Sequence, residues 1–270
     1  MATASRSGNL EWARALRAVQ PVRTVADRFA LWKRGLEVLR DWRIHADFSS
    51  PAYQQNNIAR LQHLESLGLD LSRKNVLEIG AGIGDHTLFY LFRNCRVLAV
   101  EGRPRLARKL SKRLDVEAVV IDLDREPEKL ERLGQFDFVH CYGLLYHLSD
   151  PARLLASIAR VGKCLLLETC VSFGQGRRTN TCEEDRAIFS QALHGKGCRP
   201  TREWIFEELK LHFQYVYSTK TQPHHAEFPT EWDFPASAAG PLKRAVFVAS
   251  KACILNPYLV AALPEKQVRW

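Results

Sequence analysis

The chain has 270 residues, 46% of them hydrophobic, and carries 39 Lys and Arg against 30 Asp and Glu for a formal charge of +9. That suffices for one large globular domain, or one domain with an extension, and the basic balance suits an anionic partner without identifying one. No uninterrupted apolar run is long enough to span a bilayer, and the opening MATASRSGNLEWARAL holds no apolar signal core, so a soluble, cytoplasmic protein with no membrane insertion is expected.

The seven cysteines are odd in number and irregular in spacing. Cys141, Cys164, Cys170 and Cys253 fall in apolar, strand-like runs and read as small buried hydrophobes, which fits a reducing compartment.

Residues 1–70 read as a helical extension or cap. Trp12, Leu16 and Val19 share one helical face, as do Phe29, Trp32, Leu36 and Leu39, and then Ile58, Leu61 and Leu64, in a stripe that ends near Gly68. Pro51 and the polar cluster of FSSPAYQQNN mark a break before that third stripe. Arg14, Arg17, Arg23 and Arg28 are interspersed with acids and read as a solvated face.

From residue 71 to 270 the texture is that of a second domain. Apolar runs at 75–80, 96–102, 117–123, 136–143 and 163–171 alternate with helical segments, which predicts βαβ units and a parallel sheet covered on both faces. Asp150-Pro151 predicts a helix start, with Asp150 as N-cap. Runs at 213–220 and 244–251 are expected to pair antiparallel at the sheet edge. Long irregular segments follow the fifth strand and separate the last two.

The stretch VLEIGAGIGDHT places Gly80, Gly82 and Gly84 after the first strand. Backbone amides in such a strand–loop–helix turn meet a ligand. Asp85 stands where the dinucleotide fingerprint needs its third glycine, and no Lys-Ser or Lys-Thr follows, so a pyrophosphate is a poor match. With the preceding acid, Glu78-x-Gly80-x-Gly82-x-Gly84 resembles motif I of the class I S-adenosylmethionine-dependent methyltransferases.

That resemblance covers roughly residues 75–171. It implies an α/β, Rossmann-like class I methyltransferase fold: a mostly parallel seven-stranded sheet with an antiparallel edge strand. It implies S-adenosylmethionine as cofactor, held by Glu78, Gly80, Ala81, Gly82 and Gly84. Glu101, followed by Gly102, would receive the ribose hydroxyls, since a carboxylate accepts from both hydroxyls of a diol. Asp122 with Leu123 would meet the adenine edge, with Asp124 as second choice. FDFVHCYGLLYHLSDPARLL resembles the motif IV region, which adds Tyr142.

Methyl transfer is an in-line displacement that depends chiefly on positioning and desolvation. His147, after the fourth strand, is the general-base candidate for an oxygen or nitrogen nucleophile, or else a packing residue. Tyr146 would line the transfer channel, or be core. Tyr53, Gln54 and Asn57, with Arg199, Trp204, His224, His225, Glu227 and Trp232, are candidates to surround a small-molecule acceptor. The spacings of His224-His225-x-Glu227 and of Cys182, His194 and Cys198 match no standard zinc pattern, so no metal is expected. YGLLYHLSDP and LLLETCV are also similar to tRNA wobble-uridine carboxymethyltransferases, where a tyrosine matching Tyr146 holds the extra carboxylate of carboxy-S-adenosylmethionine, and Trp32-Lys33-Arg34-Gly35 is a partial echo of their basic stretch. A tRNA-modifying enzyme and a non-catalytic cofactor-binding module are the alternative readings.

Overall fold

The computed structural model describes Ile44 and residues 46–233 and 242–270. The chain divides into two compact units, Met1–Ala46 and Asp47–Trp270. The first two helical stripes, the basic residues Arg14 to Arg28 and Trp32 to Gly35 lie outside the described residues.

The second unit opens with helix α1, Pro51–Ser66. Ser50 is its N-cap, accepting a hydrogen bond from the Tyr53 amide at 3.3 Å, and Pro51 fills the first turn. Pro51 therefore follows the expected break and starts the helix, because a missing N–H costs nothing in the first turn, while the polar cluster after it lies inside the helix. Ile58 is 54% exposed, whereas Asn56, Asn57, Arg60 and His63 are buried. Leu64 is buried and Leu61 packs against the core as expected, so the helix turns a mixed face inward, with polar side chains buried where Ile58 is not.

Strands β1 (Asn75–Ile79), β2 (Arg96–Glu101), β3 (Ala118–Val120), β4 (Phe136–Tyr142) and β5 (Gly162–Val171) are mutually parallel. Helices α2 (Thr87–Leu91), α3 (Pro104–Leu114) and α4 (Pro151–Val161) alternate with them. Helix α4 starts as expected, with Asp150 accepting from the Arg153 amide at 3.4 Å and Pro151 in its first turn. It buries Leu154, Leu155, Ile158 and Val161 against the same core as Leu165 and Leu167 of β5. Each such side chain contributes about 1.5–3 kcal/mol by leaving water.

After β5 come β6 (Thr181–Glu183) and β7 (Lys196–Cys198), an antiparallel hairpin inside the segment expected to be irregular. Helix α5 (Arg202–His212) follows, capped by Thr201, whose hydroxyl accepts from the Trp204 amide at 3.2 Å. Next are β8 (Tyr215–Thr219), β9 (Thr221–Gln222), β10 (Lys243–Ser250), β11 (Leu259–Val260) and β12 (Val268–Arg269). The main sheet runs β11-β8-β10-β5-β4-β1-β2-β3. Strand β10 is antiparallel to both β5 and β8, and the two-residue β11 forms an antiparallel edge. The seven expected strands are thus present, in the order of a class I methyltransferase sheet. Cys141, Cys164 and Cys170 are buried, but Cys253 is exposed, because β10 ends at Ser250 and the chain has already left the sheet.

Candidate functional site

A cavity of about 330 Å³ opens at the carboxyl ends of the parallel strands. At its cofactor end, Gly80, Gly82 and Gly84 have φ of +70°, +57° and +87°, a region that favours glycine. A Cβ at Gly80 would stand 2.9 Å from Leu144, and one at Gly82 would stand 3.1 Å from Phe48. The glycines let the loop turn tightly against protein side chains and keep its backbone at the cavity wall. Glu78 is buried beneath the loop, accepting a 2.6 Å hydrogen bond from the Thr87 hydroxyl. Burial pushes its carboxyl up to about 8, against the lowering effect of Thr87.

Glu101 ends β2 and accepts from the Gly82 amide at 2.9 Å and from the Arg103 amide at 2.9 Å. Burial raises its pKa, and those amides oppose the shift. The carboxylate ties the glycine loop to the turn after β2 and keeps further lone pairs for ligand hydroxyls. Asp122 accepts from the Asp124 amide at 3.2 Å and pairs with His194 at 2.7 Å. Asp124 instead holds Ser149, accepting from its amide and hydroxyl at 2.8 Å each. Strand-end acids, a glycine-lined wall and the apolar Leu123 suit the sugar, methionine tail and base of S-adenosylmethionine.

The other end of the cavity holds Tyr146 and His147. His147 Nδ1 lies 2.5 Å from Glu184 Oε2. Burial lowers the His147 pKa, with Glu184 opposing. Burial would raise Glu184, but its bonds from His147, the Ala192 amide and Arg199 hold it below its ordinary value. The pair is therefore neutral imidazole and ionised carboxylate near pH 7. Nδ1 carries the proton and Nε2 is the free base nitrogen. Arg199 donates to Glu184 at 3.0 Å and to the Tyr146 carbonyl at 3.1 Å. Arg244 donates to Glu168 at 3.0 Å, to Glu227 at 2.5 Å and to the Tyr146 hydroxyl at 3.3 Å.

Of the residues expected from the sequence, the cavity brings together Glu78, Gly80, Ala81, Gly82, Glu101 and Gly102. It also brings in Asp122, Leu123, Asp124 and Tyr142, and, beside the acceptor end, Tyr53, Tyr146, His147, Arg199, His225 and Glu227. Gly84 supports the loop from behind, its would-be Cβ 2.7 Å from Leu114. Gln54 bonds the Phe48 carbonyl at 2.6 Å, and Asn57 accepts from Arg60 and sits next to His86, so neither lines the wall. Trp204 packs on the core, and the Trp232 indole donates to Gln267 at 2.6 Å under the Arg202 guanidinium. His224 is likewise not at the cavity. No three His, Cys, Asp or Glu side chains among the described residues are grouped to hold a metal.

Sequence reasoning missed Glu184, Arg60, Glu168 and Arg244. Glu184 lies in TCEED, where nothing distinguishes one acid from the next. Glu168 did leave a trace, as a lone charge inside an apolar strand run, whereas Arg244 follows Lys243 at the start of its run and gave no such signal.

A parallel sheet with one reversed strand beside β5, a glycine loop after β1 and an acid closing β2 define a class I S-adenosylmethionine-dependent methyltransferase. The profile of a family described as a methyltransferase domain matches residues 52–205, more than half the chain, and the chain belongs to that family. The N-terminal domain of EvdMO1 with SAH bound is similar over 73% of this chain and 80% of that one, at 24% identity and a TM-score of 0.53. The same domain in the presence of SAH and D-fucose gives 23% identity and 0.55 over 74% and 84%. The Burkholderia thailandensis 1,6-didemethyltoxoflavin-N1-methyltransferase is 19% identical over 87% of this chain and 94% of that one, with a TM-score of 0.48. No curated protein matches.

Proposed function

We propose that the protein methylates an oxygen or nitrogen nucleophile of a small-molecule acceptor, with His147 receiving the nucleophile's proton. Bound S-adenosylmethionine supplies an electrophilic methyl on a sulfonium, whose C–S bond breaks as the bond from the acceptor to carbon forms. The observation that carries the reading is the 2.5 Å contact of His147 Nδ1 with Glu184 beside the same cavity that Glu101 lines. Glu184 fixes the tautomer, so that Nε2 accepts the proton. Glu184, itself held by Arg199 and the Ala192 amide, is the positioning residue.

Arg199 is committed to Glu184, and Arg244 to Glu168 and Glu227. That leaves no spare cation beside Tyr146 among the described residues for a carboxylated cofactor, which supports plain S-adenosylmethionine. All seven cysteines are free, which suits a reducing, cytoplasmic setting. No helix among the described residues is long and apolar enough to cross a membrane.

The test is an acceptor screen read by S-adenosylhomocysteine release, then pH profiles of His147→Asn and Glu184→Gln on the acceptor found. Loss of a general base lowers kcat by about 10²–10⁴. The Gln variant is expected to move the acid limb to lower pH, with cofactor affinity retained. Full kcat in both variants across pH 5–9 would exclude His147 as the base.

A further inference from the structure

Formal charge at the acceptor end of the cavity sums to zero. Arg60 faces Glu168 at 3.3 Å, Arg199 faces Glu184 at 3.0 Å, and Arg244 bridges Glu168 at 3.0 Å and Glu227 at 2.5 Å. Each guanidinium lies in an ion pair, although Arg60 Nε and Glu168 Oε2 are not hydrogen-bonded to each other. An anionic acceptor would meet no cation among the described residues here that lacks a carboxylate, and a cationic one would compete with a guanidinium already in place.

The same end is nevertheless polar, with groups of both hydrogen-bonding senses. Asn56 Nδ2 and Arg244 Nε both donate to Glu227 Oε2, and Oε1 receives no bond from the described residues. The Glu227 side chain is 26% exposed. His225 Nδ1 accepts from the Glu227 amide at 3.3 Å, so Nε2 carries that ring's proton. Asn56 and Tyr142 line the cavity, yet Asn56 Oδ1 and the Tyr142 hydroxyl are buried without a partner. An apolar acceptor would leave these groups unmatched, at about 1–3 kcal/mol for each one desolvated.

Most aromatic walls lie elsewhere. Phe48 packs by Gly82 and Phe189 lies under Arg103 at 5.6 Å, both towards the cofactor, while Tyr53 at the acceptor end is held edge-on to Phe48 at 5.4 Å. At the acceptor end the Tyr146 ring is already engaged by His147 at 3.9 Å, Arg199 at 5.0 Å and Arg244 at 5.1 Å. A flat aromatic acceptor has little to stack on there.

Building on the function proposed above, we propose that the acceptor is a neutral, polyhydroxylated molecule of the carbohydrate class, methylated on a hydroxyl oxygen. Glu227 Oε1 accepts from a neighbouring hydroxyl, as a carboxylate does from a diol, and His225 Nε2 donates to a second oxygen. The reacting hydroxyl gives its proton to His147 Nε2 while its O–CH₃ bond forms and the C–S bond breaks. The products are a methyl ether and S-adenosylhomocysteine.

The test is ligand-observed NMR on the full chain saturated with S-adenosylhomocysteine. The probes are the methyl α-D-glucopyranoside, galactopyranoside and mannopyranoside, with catechol, benzoate, phenethylamine and glucose 6-phosphate as comparisons. Saturation by S-adenosylhomocysteine is confirmed first by calorimetry; lack of binding at that step overturns the cofactor assignment and is told apart from failure of the acceptor class. At least one pyranoside is expected to bind ten-fold or more tightly than every comparison compound, and Glu227→Gln is expected to lose at least ten-fold of that affinity. Tighter binding of catechol, benzoate, the amine or the phosphate overturns the proposal. So does the absence of binding by all three pyranosides, or a Glu227→Gln protein that holds its pyranoside as well as the parent does.

Discussion

Replacing Glu78 by Gln tests whether the acid under the glycine loop is neutral in the folded protein. Glu78 is 2% exposed, and Thr87 is its one hydrogen-bond partner. Burial pushes its pKa from 4.5 to about 8. Between those values the native state holds a proton that the unfolded chain has released. Stability from this site is therefore present at low pH and lost as pH rises from 4.5 towards 8. Linkage gives a loss of about 1 kcal/mol at pH 5 and about 4 kcal/mol at pH 8. Gln keeps the carbonyl that accepts from Thr87 and cannot ionise, so the variant escapes this loss. Any fixed cost of the amide cancels when two pH values are compared. Urea unfolding of both proteins at pH 5 and pH 8, without cofactor, should show the stability difference moving in favour of the variant by about 3 kcal/mol. An unchanged difference at the two pH values would refute a raised Glu78 pKa.

Arg244→Met leaves Glu168, which is fully buried, with only the 3.3 Å contact to Arg60. Breaking such a pair costs about 3–5 kcal/mol, or roughly 6–20 °C in Tm for a unit of this size, and adding Glu168→Gln should restore part of it in thermal unfolding. Gly80→Ala puts a Cβ 2.9 Å from Leu144 at φ +70°. It should cost about 2 kcal/mol in urea and weaken S-adenosylhomocysteine binding about ten-fold or more by calorimetry. His63 is fully buried, and burial lowers its pKa to about 4 against a 3.1 Å contact with the Thr221 carbonyl. Its contribution is full above pH 6.5 and lost as pH falls towards 4, so His63→Gln should reduce the fall in unfolding free energy between pH 7 and 4.5 by about 2 kcal/mol.

The strands and the cofactor end were legible because local rules govern them. An apolar run that is buried on both faces admits few polar residues, and a glycine loop between strand and helix needs positive φ. Glu78, Gly80, Gly82 and Glu101 follow from one short stretch and one strand end. The acceptor end follows no such rule. Ile58 looked like a core residue because an apolar residue at helical spacing usually is one, yet α1 buries Asn56, Asn57 and Arg60 instead. The burial of those polar side chains beside Leu64 is set by partners far along the chain: Glu227 for Asn56 and Glu168 for Arg60. Trp204 and Trp232, chosen because they lie next to long loops, serve packing instead.

What brings those partners together is the reversal of a single strand. In a parallel sheet every strand delivers its carboxyl end to the ligand edge, so only residues that end strands reach the site. Strand β10 runs the other way, and Arg244 near its start pairs in register with Cys170 near the end of β5. The reversed strand therefore presents its first residues at the ligand edge and places Arg244 within 3.0 Å of Glu168. Had β10 been parallel, Arg244 would lie at the opposite edge and Glu168 would be a buried charge facing Arg60 alone. The antiparallel insertion thus lets one fold keep its cofactor site from β1 and β2 while drawing acceptor-facing groups from β5, β10 and α1, three elements far apart in sequence.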